Sequence, residues 1–312
     1  MESKQINTGK QVIPIFFSID KNVEMPCGVA ITSLLESAEA DTFYDIFILH
    51  GDEDDFSGSL LNQLPSIYKN CDIHFRNVGA AFETAFEIRG ITRPTYYRLV
   101  APKLIPEYDK LIYYDVDIIF RRDLTDLYMT SLDNHYFGAV NLYHELPPCD
   151  IDYVQNTLKL GLASGYFSAG ALLMNAQLIR HDSMMDVFIE MAKNNYTFQD
   201  QDVINLSCKG RIRPLPLEYN MTNYAYENLV LHGGDRDDVC DRKILSNSVV
   251  HYNGPKPWKD TCLNMDLWWN VYRRSIFFDE KFAYEFWMGR PSFLDKMPLS
   301  QRIKLTLKYF RR

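Results

Sequence analysis

Asp115 and Asp117 flank Val116, and two carboxylates at this spacing can serve metal chemistry. At a strand end where the backbone turns, side chains at i and i+2 can both reach one hard divalent cation through oxygen. The spacing alone carries little, because similar triplets begin at Asp52, Asp150, Asp200 and Asp235. What separates this one is its frame, an apolar run over residues 111–114 before it and another over 118–120 after it. A solvated turn is the plainer reading of the same residues.

Three further groups could work with that pair. His251 follows the apolar Val249-Val250 and opens the segment His251-Tyr252-Asn253-Gly254-Pro255-Lys256-Pro257-Trp258. An imidazole at a strand end can complete a site begun by carboxylates, Gly254 permits close backbone approach to a ligand, and Lys256 can neutralise a phosphate. A proline-rich turn with a surface histidine fits these residues equally. Asp200-Gln201-Asp202 stands at an expected helix start. There Asp200 either caps the helix or accepts hydrogen bonds from sugar hydroxyls, with Gln201 beside the reacting carbon. Arg98, after Tyr96-Tyr97, offers a planar fork to a phosphate, a sugar or an acidic neighbour.

Such remote positions need a frame that brings them together. Residues 13–19 and 43–49 are continuous apolar runs, the pattern of strands buried on both faces of a parallel sheet. Ala30, Ile31, Leu34 and Leu35, and later Leu60, Leu61, Leu64 and Ile67, recur at helical spacing. This βαβα order predicts a doubly wound α/β sheet. A third strand is expected at 73–75, and a helix after Pro94 with Tyr97, Leu99, Val100 and Leu104 on its apolar face. The strand at 111–114 then delivers the two acids at its carboxyl end, where open α/β sheets bind ligands. Beyond it we expect strands at 136–141 and 248–252, an apolar segment at 166–175, and helices at 184–191 and from near Gln201. Residues 219–241, rich in Tyr, Asn, Gly and Asp, read as an irregular loop.

The 312 residues suffice for one large α/β domain, expected over 1–260, and a helical, basic, amphipathic extension over 261–312. At 46% hydrophobic and 24% charged, the composition excludes a largely disordered chain. A net charge of -8 argues against nucleic acid as a partner, since phosphate affinity needs clustered Lys and Arg. The end of the chain is different: Lys296, Arg302, Lys304, Lys308, Arg311 and Arg312 occur there with no acid among them. The polar first ten residues and the lack of any long apolar stretch predict a cytoplasmic protein. The six cysteines lack metal-ligand spacing and are expected as buried free thiols. Sequons at Asn195, Asn205 and Asn220 carry no meaning without a secretory signal.

The four groups occur in the order seen in the retaining glycosyltransferases of family 8, which include glycogenin and bacterial lipopolysaccharide galactosyl- and glucosyltransferases. The chain resembles a bacterial member over residues 13–258. The resemblance implies a GT-A type nucleotide-sugar-binding fold, with a mostly parallel central sheet flanked by helices. Asp20-Lys21-Asn22 is similar to the segment that holds uracil and ribose, Asp115 and Asp117 to the metal triplet, and His251 to the metal-binding histidine. On the same basis the donor-binding set is Ser18, Asp20, Asn22, Val116, Ser168, Gly254 and Lys256. Arg98 would contact the donor, Asp200 its hexose, and Gln201 would sit beside the anomeric carbon. The chain departs from the family in three places: Ser168 replaces the usual Asn, Val23 stands where an aromatic residue is common, and Gly254 and Lys256 are one residue closer.

The resemblance further implies a UDP-hexose donor, a glycan or glycolipid acceptor, and retention of configuration. Mn²⁺ or Mg²⁺ held by the two acids and His251 would stabilise the departing diphosphate, and the imidazole favours Mn²⁺. Double displacement needs a carboxylate nucleophile, and Gln201 is an amide, so same-face attack is expected. The tail, with Leu299, Ile303, Leu305, Leu307, Tyr309 and Phe310 among its basic residues, reads either as a helix on an anionic membrane, at the inner face of the cytoplasmic membrane, or as one packed on the domain. Two rivals are a sugar-1-phosphate nucleotidyltransferase, whose glycine-rich loop is missing from residues 20–27, and a catalytically silent glycan-binding protein on the same fold.

Overall fold

The two leading apolar runs form the centre of a seven-stranded sheet. The computed structural model describes residues 9–87, 93–143, 146–232, 246–288 and 297–310. Its strands are β1 (Gln11–Ser18), β2 (Thr42–His50), β3 (Cys71–Asn77), β4 (Lys110–Tyr114), β5 (Ile118–Ile119), β6 (Phe137–Asn141), β7 (Phe167–Asn175), β8 (Ile212–Leu215), β9 (Met221–Thr222) and β10 (Val250–His251). The large sheet has the order β3-β2-β1-β4-β7-β6-β8. β1 runs parallel to β2 and β4, β2 to β3, and β6 to β8, while β7 is antiparallel to both its neighbours. The expected mostly parallel, doubly wound sheet is present, and the chain leaves β1 in one direction and returns beside it at β4, which opens a crevice at their carboxyl ends.

Strand alternation divides the core between the two faces. Ile13, Ile15, Phe17, Ile112 and Tyr114 pack on one, and Phe16, Leu111 and Tyr113 on the other. The first face is sealed by two helices. Glu24–Glu36 buries ten consecutive residues, and Met265–Arg274 contributes Trp268, Trp269 and Tyr272 to the same core. Arg274 grips Glu36 with Nε and Nη2, and a Cβ on Gly28 would fall 2.1 Å from the Phe277 ring, so this contact requires glycine.

A second sheet, β5-β10-β9, has strands of only two residues. His251 lies opposite Ile118 in antiparallel register and beside Thr222 in parallel register. The Tyr252 amide donates to the Asp117 carbonyl at 2.9 Å.

Several expectations change. The helix after Pro94 is three short pieces, Pro94–Tyr97, a 3-10 turn Arg98–Val100, and Ala101–Leu104. Pro102 cannot donate to the Arg98 carbonyl, so a continuous α-helix is broken there. The supposed loop at 219–241 contains β9 and the helix Asn223–His232, started by Thr222 Oγ1 accepting from the Ala225 amide at 3.0 Å and anchored by buried Ala225 and Leu229. Local composition hid this because the burial comes from tertiary packing. The strand at 248–252 shrinks to Val250–His251. Cys149 is exposed, whereas Cys27, Cys71 and Cys208 are buried thiols; Cys240 lies outside the described residues. Among the described residues no helix is long and apolar enough to cross a membrane.

Candidate active site

A cleft of about 1080 Å³ opens at the carboxyl ends of β1 and β4. That exceeds the roughly 300–1,000 Å³ typical of small-ligand pockets, so two sizeable ligands can meet in it. Ser18, Asp20, Asn22 and Val23 line one end, and Arg98, Asp115, Val116, Asp117, Ser168, Asp200, Gln201, His251 and Lys256 line the rest. Gly254 is not among the lining residues; it is exposed, with nothing within 4 Å of a Cβ placed there.

Asp115 continues the face of β4 that carries Tyr113, and the Tyr113 hydroxyl donates to its Oδ1. The Asp115 amide extends the β4–β7 ladder by donating to the Gly170 carbonyl at 2.9 Å. The second sheet then brings His251 alongside, with Nε2 3.3 Å from Asp117 Oδ1 and 3.9 Å from Asp115 Oδ2. One ligand atom from each of the three residues falls within 4.8 Å of the others. Donors about 2.1 Å from an octahedral cation stand roughly 3.0 Å apart in cis and 4.2 Å in trans, so this set fits a divalent ion. Gly170 leaves the room: a Cβ there would lie 2.5 Å from His251 Cε1 and 2.8 Å from Asp115 Oδ2. Three protein ligands leave positions open for a substrate oxygen.

Lys256 pairs with Asp117 Oδ2 and donates to the Tyr252 carbonyl at 2.7 Å. Burial alone would raise the Asp117 carboxyl, but the charges and hydrogen bonds of His251 and Lys256 hold it well below the usual carboxylate range.

Arg98 ties this cluster to the second acidic pair. It is buried, with Nη2 2.9 Å from Asp115 Oδ1 and Nε 3.1 Å from Asp200 Oδ2. Nη1 donates to the Ala169 carbonyl at 2.5 Å, Nε to the Thr95 carbonyl at 2.8 Å, and the guanidinium lies 4.2 Å from the Tyr113 ring centroid. Its fork is thus spent largely on protein groups. Burial, only partly offset by Arg98, pushes the Asp200 carboxyl up to about 6. Thr95 Oγ1 donates to Asp200 Oδ1 at 3.1 Å, and Gln201 Oε1 accepts from the Ala169 amide at 3.1 Å.

Asp200 does not cap its helix. The helix is Gln199–Ser207, and Asp202 accepts from the Phe198 amide at 2.9 Å, taking the capping role. Gln199 has φ 45°, a left-handed conformation that costs about 1–3 kcal/mol and turns the chain so that Asp200 and Gln201 face the cleft. At the other end, Asp20 Oδ1 accepts from the Asn22 amide at 2.9 Å, and Ser18 Oγ is buried without a hydrogen-bond partner. A buried, unpaired hydroxyl on a cleft wall suits a ligand contact.

Sequence reasoning missed Thr95, Tyr113 and Asn220. Tyr113 was within reach through its i, i+2 relation to Asp115. Asn220, whose Oδ1 is 2.8 Å from His251 Nδ1, was visible only as a sequon.

Residues 14–262 match the profile described as glycosyl transferase family 8. A lipopolysaccharide 1,3-galactosyltransferase of Salmonella typhimurium is 27% identical over 278 residues, covering 85% of this chain and 76% of that protein. The lipopolysaccharide glucosyltransferase WaaO of Escherichia coli is 25% identical over 272 residues, covering 82% and 75%. Among solved structures, galactosyltransferase LgtC in complex with donor and acceptor sugar analogues superposes with a TM-score of 0.70 at 26% identity, covering 87% of this chain and 99% of that one. An active-site mutant of LgtC in which Gln is replaced by Glu superposes with a TM-score of 0.71 at 25% identity, with the same coverage. The fold is of the GT-A type.

Proposed function

Since the chain belongs to glycosyl transferase family 8, we propose that it moves a hexose, galactose or glucose, from a UDP-sugar to lipopolysaccharide or another surface glycan, with retention of anomeric configuration. The observation that carries this reading is the convergence of Asp115, Asp117 and His251 in the cleft that also holds Asp200 and Gln201. The names of the Salmonella and Escherichia relatives support the acceptor class, and the LgtC complex supports a cleft that takes donor and acceptor together.

In this reading Ser18, Asp20 and Asn22 hold the nucleoside end, and Val116 and Ser168 line the path to the sugar. Asp115, Asp117 and His251 would hold a divalent cation, Mn²⁺ ahead of Mg²⁺ because of the imidazole, and that cation would supply positive charge against the departing diphosphate. Lys256 adds a second positive charge at the same edge, whereas Gly254 serves the turn that brings it there. Asp200, braced by Arg98 and Thr95, accepts from the hexose hydroxyls. Gln201, held by the Ala169 amide, lies beside the anomeric carbon. An amide is a poor nucleophile and Asp200 is committed to Arg98, which favours attack on the same face, the acceptor proton passing to a phosphate oxygen of the leaving group.

Residues 1–260 form the catalytic unit and 261–312 its extension, whose last helix, Leu299–Phe310, exposes Leu299, Ile303 and Leu307. An exposed apolar face among Lys and Arg supports peripheral contact with anionic lipid on the cytoplasmic side of the membrane.

Donor binding tests the reading. With Mn²⁺ present, UDP-galactose or UDP-glucose should stabilise the protein, by about 2.7 kcal/mol at a hundred times Kd. Asp115→Asn should remove that stabilisation; if it is retained in full, the site is misassigned.

A further inference from the structure

We propose that Asn205 is a positioning residue for the transfer step: its carboxamide fixes the register of the helix Gln199–Ser207 against the backbone of β7, and with it the place of Gln201. The inference rests on the role given to Gln201 above and adds a residue that makes no contact with the ligands.

Asn205 reads in the sequence as a sequon, yet it is 3% exposed and absent from the cleft wall. Its Oδ1 accepts from the Phe167 amide at 2.8 Å, and Nδ2 donates to the Phe167 carbonyl at 2.8 Å and to the Gln201 carbonyl at 2.8 Å. The one N–H must meet the amide oxygen and the two carbonyls the amide nitrogen, so the group has a single orientation and uses both of its hydrogens. It pairs with both polar groups of one residue, as a neighbouring strand would.

β7 needs such a partner at this point. Its ladder with β4 runs from Asn175 to Ala171 and closes with the Asp115 amide on the Gly170 carbonyl. Beyond that, side chains take over: Asn205 on Phe167, Gln201 Oε1 on the Ala169 amide at 3.1 Å, and Arg98 Nη1 on the Ala169 carbonyl at 2.5 Å. Positions 201 and 205 share one face of the helix, about 6 Å apart along its axis. Phe167 and Ala169 stand about 6.7 Å apart along the strand. The two spacings match, so the clamp of Asn205 on Phe167 sets the second contact, Gln201 on Ala169. Arg98, on the same Ala169 peptide, also holds Asp200, which makes this stretch of β7 the template for both sugar-facing residues.

The test separates turnover from binding. Turnover is UDP release from UDP-galactose or UDP-glucose in Mn²⁺, with lipopolysaccharide or water as acceptor, and binding is UDP affinity in Mn²⁺ by calorimetry. Asn205→Ala, and Asn205→Asp, whose carboxylate has no hydrogen for the two carbonyls, should lower turnover on the order of 10- to 100-fold, the effect of a displacement near 1 Å, while UDP affinity stays within about twofold. A fall in UDP affinity as large as that in turnover overturns the proposal. The core truncation Val271→Ala, in a helix that does not line the cleft, should keep wild-type turnover while folded; an equal loss there would reduce Asn205 to a stability effect and overturn it as well. Wild-type turnover in a folded Asn205 variant overturns this inference alone, whereas a wild-type protein that releases no UDP from either donor overturns the sugar-transfer reading with it. Should neither Asn205 variant fold, hydrogen exchange in the wild type decides: the Phe167 and Ala169 amides should be protected alike, and rapid exchange at Ala169 alone refutes the clamp.

Discussion

Arg98 Nε and Asp200 Oδ2 lie 3.1 Å apart with both side chains buried, and the same guanidinium reaches Asp115 Oδ1 at 2.9 Å. One cation thus braces an acid of the metal cluster and an acid of the sugar-facing helix. Removing one partner of a buried ion pair typically costs about 3–5 kcal/mol, because the charge left behind stays desolvated. Arg98→Ala should lose stability in that range in urea denaturation. Arg98→Lys should lose less but still fall below wild type, since an ammonium cannot span both acids. A loss under about 1 kcal/mol for the alanine variant would show that the network carries little.

The Asp200 carboxyl gives a pH signature. Burial pushes it up to about 6, above the ordinary value near 3.9, so the folded chain binds this proton more tightly than the unfolded chain. Its contribution to stability is therefore full below about pH 4 and is lost as pH rises through about 6. Activity should run the other way, because the ionised form that accepts sugar hydroxyls dominates only above that point. Relative to wild type, Asp200→Asn should become steadily more stable as denaturation is measured from about pH 4 to pH 7. A pH-independent difference would refute the assignment.

Gly170→Ala places a methyl group 2.5 Å from His251 Cε1 and 2.8 Å from Asp115 Oδ2. Overpacking of this kind costs about 1–3 kcal/mol. Because the crowded atoms belong to the cation ligands, the loss should appear as roughly 10- to 100-fold weaker Mn²⁺-dependent UDP binding by calorimetry. Wild-type affinity in the variant would mean that the ligands shift freely.

The final helix leaves Leu299, Ile303 and Leu307 exposed at 71%, 50% and 52%. Deleting residues 298–312 should abolish co-sedimentation with anionic liposomes and leave UDP binding intact. Binding of the full chain should weaken as salt is raised, since basic residues supply part of the attraction. A full-length protein that never sediments with such liposomes would rule out the membrane role.

Much of the large sheet was legible because strands buried on both faces become continuous apolar runs. Residues 13–19 and 43–49 needed no partner to be recognised, and the apolar frame around Asp115 and Asp117 marked their strand end. Elements with no period of their own were not legible. β9 has only two residues, the helix Asn223–His232 looked like loop, and Pro102 broke a helix whose apolar spacing appeared continuous.

The amino-acid order by itself therefore determined the sheet, its ligand-binding end and the residue types able to hold a cation, because these follow from burial patterns a few residues long. Only the tertiary structure decided that His251 stands against Asp117, that Arg98 is shared by Asp115 and Asp200, and that Asn220 is an internal partner of His251 and not a surface sequon. Each of those contacts joins segments far apart in the chain, and the two that involve His251 do so through strands too short to pair without the rest of the fold. Their geometry exists once the core has closed around them, and nothing in the local residue pattern encodes it.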